Sequence, residues 1–62
     1  MPLVQITLAV GRTPEQLAAL GMAVTAAVAE SIGAPRESVR VIVAECEREL
    51  WFVGGESLAD RG

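Results

Sequence analysis

Between Leu3 and Val10 the chain alternates, with Leu3, Gln5, Thr7 and Ala9 on one side and Val4, Ile6, Leu8 and Val10 on the other. A period of two with one wholly apolar side predicts a strand over residues 3–10 that lays one face on a core. Pro2 shares the parity of that face. Gly11-Arg12 interrupts the run, and Thr13-Pro14-Glu15-Gln16 carries three helix-start signals: a capping threonine, a proline suited to the first helical position, and a glutamine that completes a capping box. Leu17, Leu20, Val24, Val28 and Ile32 then recur at spacings of three and four, which predicts a helix over 14–32 with one stripe on the sheet, widened by Ala23, Ala26 and Ala27. Gly21 costs about 1 kcal/mol against alanine inside a helix, so it marks either close packing or simple tolerance. Gly33 stands where a left-handed cap belongs, and Pro35 prevents continuation. Residues 38–45 predict a second strand, with Val39, Val41 and Val43 on one face and Arg40, Ile42 and Ala44 on the other. Glu45 to Glu49 is a polar link, and Leu50-Trp51-Phe52-Val53 before Gly54-Gly55 is long enough only for a small hairpin arm.

The element order predicts an α/β (α+β) fold: one β-α-β unit with a short C-terminal hairpin, in a single domain over residues 1–62. A helix from 14 to 32 spans roughly 28 Å and a strand from 3 to 10 about 26 Å, so the second strand starts beside the first and runs parallel to it. Two strands and one helix do not close a core, and both strands keep edges open to pairing. A chain of 62 residues needs a disulfide, a metal or a partner to offset its conformational entropy. Cys46 is the only cysteine and histidine is absent, which leaves neither an intrachain bridge nor a Cys/His zinc site. Oligomerisation remains, and a hydrophobic fraction of 52% fits faces covered by neighbouring subunits.

Composition narrows the function classes. The apolar stretches fall short of the roughly 20 residues a membrane span needs, and no secretory signal pattern opens the chain. With one unpaired thiol, this favours the cytoplasm. A net charge of −3, five arginines and no lysine offer no basic stripe for nucleic acid, and Trp51 and Phe52 are the only aromatic platforms. No residue set suggests a metal or a cofactor.

The candidate chemistry lies in Pro2. Removal of Met1 leaves a secondary amine on a rigid strand, in a chain with no histidine to titrate near neutrality. The Met-Pro start, Gly11-Arg12, the T-P-E-Q helix start, Ser38-Val39-Arg40-Val41-Ile42-Val43 and Gly54-Gly55-Glu56 occur in an order and spacing that strongly resembles the 4-oxalocrotonate tautomerase family, over essentially the whole chain. The resemblance implies a tautomerase-like subunit whose dimers assemble into a hexamer, a trimer of dimers, with sites built from neighbouring chains. It also implies cofactor-independent keto–enol chemistry on a 2-oxo or 2-hydroxy acid, of the kind found in aromatic catabolism. By position, Pro2 matches the proton carrier, Arg40 the residue that binds the carboxylate and 2-oxygen near the reacting carbons, and Arg12 the residue that holds the distal carboxylate. Trp51 falls where the family has a phenylalanine in its apolar wall, a departure that bears on whether the substrate is a dicarboxylate or an aryl acid.

Physical chemistry fits these roles. A base must be neutral near pH 7, and an unperturbed α-amine has a pKa of about 7.7–8.0, with proline more basic still. Burial and nearby guanidinium groups both disfavour the ammonium form. Arginine stays charged and grips carboxylate through two parallel hydrogen bonds. Two alternatives stand beside this reading: a hydratase or dehalogenase on short unsaturated acids, which needs a second group to activate water, and a noncatalytic subunit of a hetero-oligomer. Glu45 and Glu47 flank Cys46, surroundings unsuited to a nucleophilic thiol. Arg36 and Arg48 have no role in the resemblance and are expected to pair with Glu37, Glu47 or Glu49.

Overall fold

The computed structural model describes all residues, Met1 to Gly62. Strand β1 is Leu3–Ala9, helix α1 Pro14–Ile32 and strand β2 Arg40–Cys46, followed by β3 Phe52–Val53, β4 Glu56–Ser57 and a final helical turn α2, Leu58–Arg61. The two long strands pair in parallel, Leu3 opposite Arg40 through Ala9 opposite Cys46. Val4, Ile6 and Leu8 alternate as half-buried with exposed Leu3, Gln5 and Thr7, and Val41 and Val43 continue the half-buried face on β2. This is the alternation written into the sequence.

Helix α1 begins and ends where its signals lie. The Thr13 hydroxyl accepts the Gln16 N–H at 3.1 Å, and the Gln16 side chain accepts the Thr13 N–H at 2.9 Å. Gly33 closes the helix at φ 69°, its N–H donating to the Ala29 carbonyl; a Cβ is disfavoured in that left-handed region. The stripe differs at its margins. Ile32 is 63% exposed, Ala23 and Ala27 face outward, and Gly21, Thr25 and Ala29 are half-buried in their place. A Cβ built on Gly21 meets nothing within 4 Å, so close packing inside this chain is not its role.

The second strand starts later than expected. Arg36–Ser38 forms a 3-10 turn, closed by the Val39 N–H donating to the Arg36 carbonyl at 3.1 Å and by the Ser38 hydroxyl donating to the Pro35 carbonyl at 2.8 Å. Val39 is thereby tucked under the sheet end as the one buried apolar residue. The polar link also carries structure: β2 runs on to Cys46, and Arg48–Leu50 makes a second 3-10 turn. The hairpin pairs Phe52 with Ser57 and Val53 with Glu56. Its two central residues, Gly54 and Gly55, have φ of 61° and 86°, as a two-residue turn with both φ positive requires.

The chain does not cover its own apolar surface. Val39 and Ser57 alone are buried. Accessible surface is 4468 Å², against roughly 3,800 Å² for a compact monomer of this mass. The radius of gyration is 14.5 Å, where a compact chain of this length has about 11 Å. Leu3 and Ile42 lie 55% and 51% exposed on the sheet face turned away from α1. No helix is long and apolar enough to cross a membrane.

Candidate active site

The parallel pairing places Pro2 and Arg40 side by side. The Arg40 N–H donates to the Pro2 carbonyl at 2.9 Å, extending the β1–β2 ladder by one bond toward the amino terminus. Pro2 is half-buried and Arg40 exposed. An Nη1 of Arg40 donates to the Glu37 carbonyl at 3.3 Å, so the 3-10 turn that precedes β2 also orients the guanidinium. Arg40 lines a groove of 490 Å³ between α1 and the start of β2, with Ala18, Gly21, Thr25 and Arg36 among its walls. Pro2 does not line this groove.

Arg12 and Trp51 lie at the other end of the sheet. Both line a second groove, of 390 Å³, floored by the end of β1 and closed by Leu58 of α2 and by Arg48. The chain leaves β1 at Gly11, which carries Arg12 past the end of the ladder. The hairpin folds back so that the Leu58 N–H donates to the Trp51 carbonyl at 2.9 Å. That bond fixes the Trp51 main chain beside α2, and the half-buried Trp51 lines the groove.

The four sequence-predicted residues therefore form two separate pairs. From the Leu3–Arg40 level to the Ala9–Cys46 level the ladder climbs six residues, roughly 20 Å at the rise of a parallel strand, and Arg12 is beyond that. No six-carbon acid bridges the two ends of one chain. Arg48 was expected to pair with one of Glu37, Glu47 and Glu49; instead its Nη2 donates to the Leu58 carbonyl at 2.9 Å, part-buried. Arg36 likewise has no acidic partner, since the only ion pair in the chain joins Arg61 to Glu56 at 3.6 Å. The placement of Arg48 in the groove was not legible from its neighbours in sequence, because it depends on Leu58 ten residues on. Both grooves carry arginine and neither is lined by an acid, an electrostatic surface suited to anions.

Comparison with known proteins bears on the family and the fold. The family model described as Tautomerase enzyme matches residues 2–61. The chain is 39% identical over 62 residues to a 2-hydroxymuconate tautomerase of Comamonas testosteroni, covering 100% of this chain and 98% of that protein. Among solved structures, TomN, a 4-oxalocrotonate tautomerase homologue in the tomaymycin biosynthetic pathway, superposes with a TM-score of 0.94 at 57% identity, covering 97% of this chain and 92% of that one. A heterohexamer 4-oxalocrotonate tautomerase from Chloroflexus aurantiacus J-10-fl gives a TM-score of 0.92 at 42% identity, with 97% of each chain covered.

Proposed function

The chain belongs to the tautomerase family and is an isomerase of that kind, and from this premise we propose that it interconverts 2-hydroxydienoates, or related enols, and their conjugated 2-oxo acids, with the processed Pro2 nitrogen as the proton carrier. The neutral amine takes a proton from the enol oxygen or the adjacent carbon and returns it to another carbon of the conjugated system. No cofactor takes part. Arg40 supplies positive charge where the enolate develops, Arg12 holds the carboxylate at the far end, and Trp51 walls the site against water. A positioned base of this type is worth about 10²–10⁴ in rate.

One observation supports the reading: the chain carries two arginine-lined grooves at opposite ends of the sheet, too far apart to serve a single small substrate. The ends become one site when the Arg12–Trp51 groove of one chain meets the Pro2 strand head of another. The uncovered sheet face gives such an assembly its driving force. A homohexamer built as a trimer of dimers is the proposed form, supported by the resemblance to a heterohexamer. A hydratase or dehalogenase is less well supported, because no carboxylate lines either groove to activate water. The resemblance to TomN, named for a biosynthetic pathway, keeps the physiological substrate separate from the reaction class.

Subunit mixing tests the composite site. Pro2→Ala and Arg12→Ala chains, unfolded together and reassembled, form some sites with both residues intact. Activity at low substrate should exceed the sum of the two variants assembled alone. No gain on mixing, with exchange verified by mass, would mean that Pro2 and Arg12 of one chain serve the same site.

A further inference from the structure

The groove at the Arg12 end holds two guanidinium groups. Arg12 and Arg48 both line it, and no acid does. Arg48 is half-buried, and one of its nitrogens is tied to the Leu58 carbonyl at 2.9 Å, while Leu58 is tied through its own N–H to Trp51. A guanidinium has five N–H donors, and this bond uses one. The remaining donors meet no carboxylate of the chain, because its single ion pair lies elsewhere, between Arg61 and Glu56. Arg12 is exposed and Arg48 half-buried, and two like charges lining one groove repel, a repulsion that an anion between them relieves.

We propose that Arg48 is a second anion-binding residue of this groove, gripping together with Arg12 the carboxylate remote from the reacting carbons, so that the site selects acids with two carboxylates over acids with one. The proposal rests on the tautomerase reading above and names the substrate class it takes. A carboxylate has two oxygens and about four lone-pair directions, enough to accept from both guanidinium groups. Leu58 fixes Arg48 before the anion arrives, which lowers the ordering cost of the second contact. The same bond makes Arg48 a brace for the Trp51 wall. Comparing a two-carboxylate with a one-carboxylate acid separates the two roles, because loss of the brace weakens both.

Trp51 is the only tryptophan and lines the groove, so its fluorescence reports occupancy without any turnover. Adipate, a six-carbon diacid, should bind the intact oligomer more tightly than hexanoate. Arg48→Gln removes the charge and leaves a neutral amide of shorter reach, so any loss of the bond to Leu58 is read from hexanoate as well as adipate. It should weaken adipate by about 10–100-fold, the loss expected for one charge-assisted contact, and leave hexanoate within about twofold. Arg48→Lys should keep most of the selection. In turnover, Arg48→Gln should raise KM for a two-carboxylate enol with kcat little changed and leave KM for a one-carboxylate enol alone. Equal weakening of both acids would assign Arg48 to bracing only and overturn the proposal. So would the absence of any change, or a wild type that does not distinguish adipate from hexanoate. If Arg48→Gln fails to assemble, Arg48→Lys decides, and loss of selection in a folded Arg48→Lys oligomer overturns the proposal. Selective adipate binding by a protein that turns over neither enol would leave the anion grip standing and remove the proposed reaction.

Discussion

Replacing Ile42 by aspartate puts a charge on the uncovered face of the β1–β2 sheet, where Ile42 lies opposite Gln5 and is 51% exposed. Burying a whole isoleucine side chain stabilises by about 1.5–3 kcal/mol, so covering the exposed half contributes about 1 kcal/mol per copy. Ile42→Asp loses that contribution and adds the desolvation of a carboxylate, which costs several kcal/mol per ion in a buried setting. Arg40, two residues back on the same strand, offsets part of this. A net penalty of about 2 kcal/mol per chain corresponds to roughly 30-fold in association, repeated at every copy of a symmetric oligomer. Sedimentation velocity at micromolar concentration should show the wild type as one oligomer, about six chains, and Ile42→Asp as smaller species. The variant should also melt at a lower and more concentration-dependent temperature, because its fold depends on the partner chains. An Ile42→Asp protein that sediments and melts like the wild type would refute the claim that this face is buried by assembly.

The remaining predictions concern chemistry and local stability. Arg40→Ala should lower kcat and kcat/KM together in steady-state assays on an enol substrate, as expected for a charge felt mainly in the transition state, whereas Arg12→Ala should chiefly raise KM. Trp51→Phe should change the preference between dicarboxylate and aryl enols more than it changes the melting temperature. Thr13→Ala removes one half of the capping box and should destabilise by about 1 kcal/mol in thermal or denaturant unfolding. Gly33→Ala places a Cβ in the left-handed region and should cost about 1 kcal/mol in the same measurement.

Helix α1 was legible to the residue because its ends are local chemistry: Thr13, Pro14 and Gln16 at one end and Gly33 at the other act within a few positions of themselves. Strand β1 was legible because one buried face imposes a period of two. Ser38 and Val39 were misread, since they continue the alternation of β2 although hydrogen bonds to Pro35 and Arg36 bend them into a turn. The short turn at Arg48–Leu50 and helix α2 are closed by local bonds, Leu50 N–H to the Glu47 carbonyl and Asp60 N–H to the Ser57 hydroxyl, and are too short to leave a period to read. The candidate site was half legible. Pro2, Arg12, Arg40 and Trp51 stood out by motif, but their separation into two ends followed only from the parallel register of β1 and β2.

The proton carrier is the point on which the functional account turns. While Met1 remains attached, the Pro2 nitrogen is an amide and is not basic; once Met1 is removed it is an amine able to take up a proton. Tautomerase rates should therefore be compared on two preparations of the same chain, each verified by intact mass, one processed and one retaining Met1, with the oligomer confirmed in both. The processed protein should be faster by about 10² or more, with activity rising with pH as the amine loses its proton, because deprotonation creates the base. Equal rates for the two preparations would contradict the assignment of Pro2.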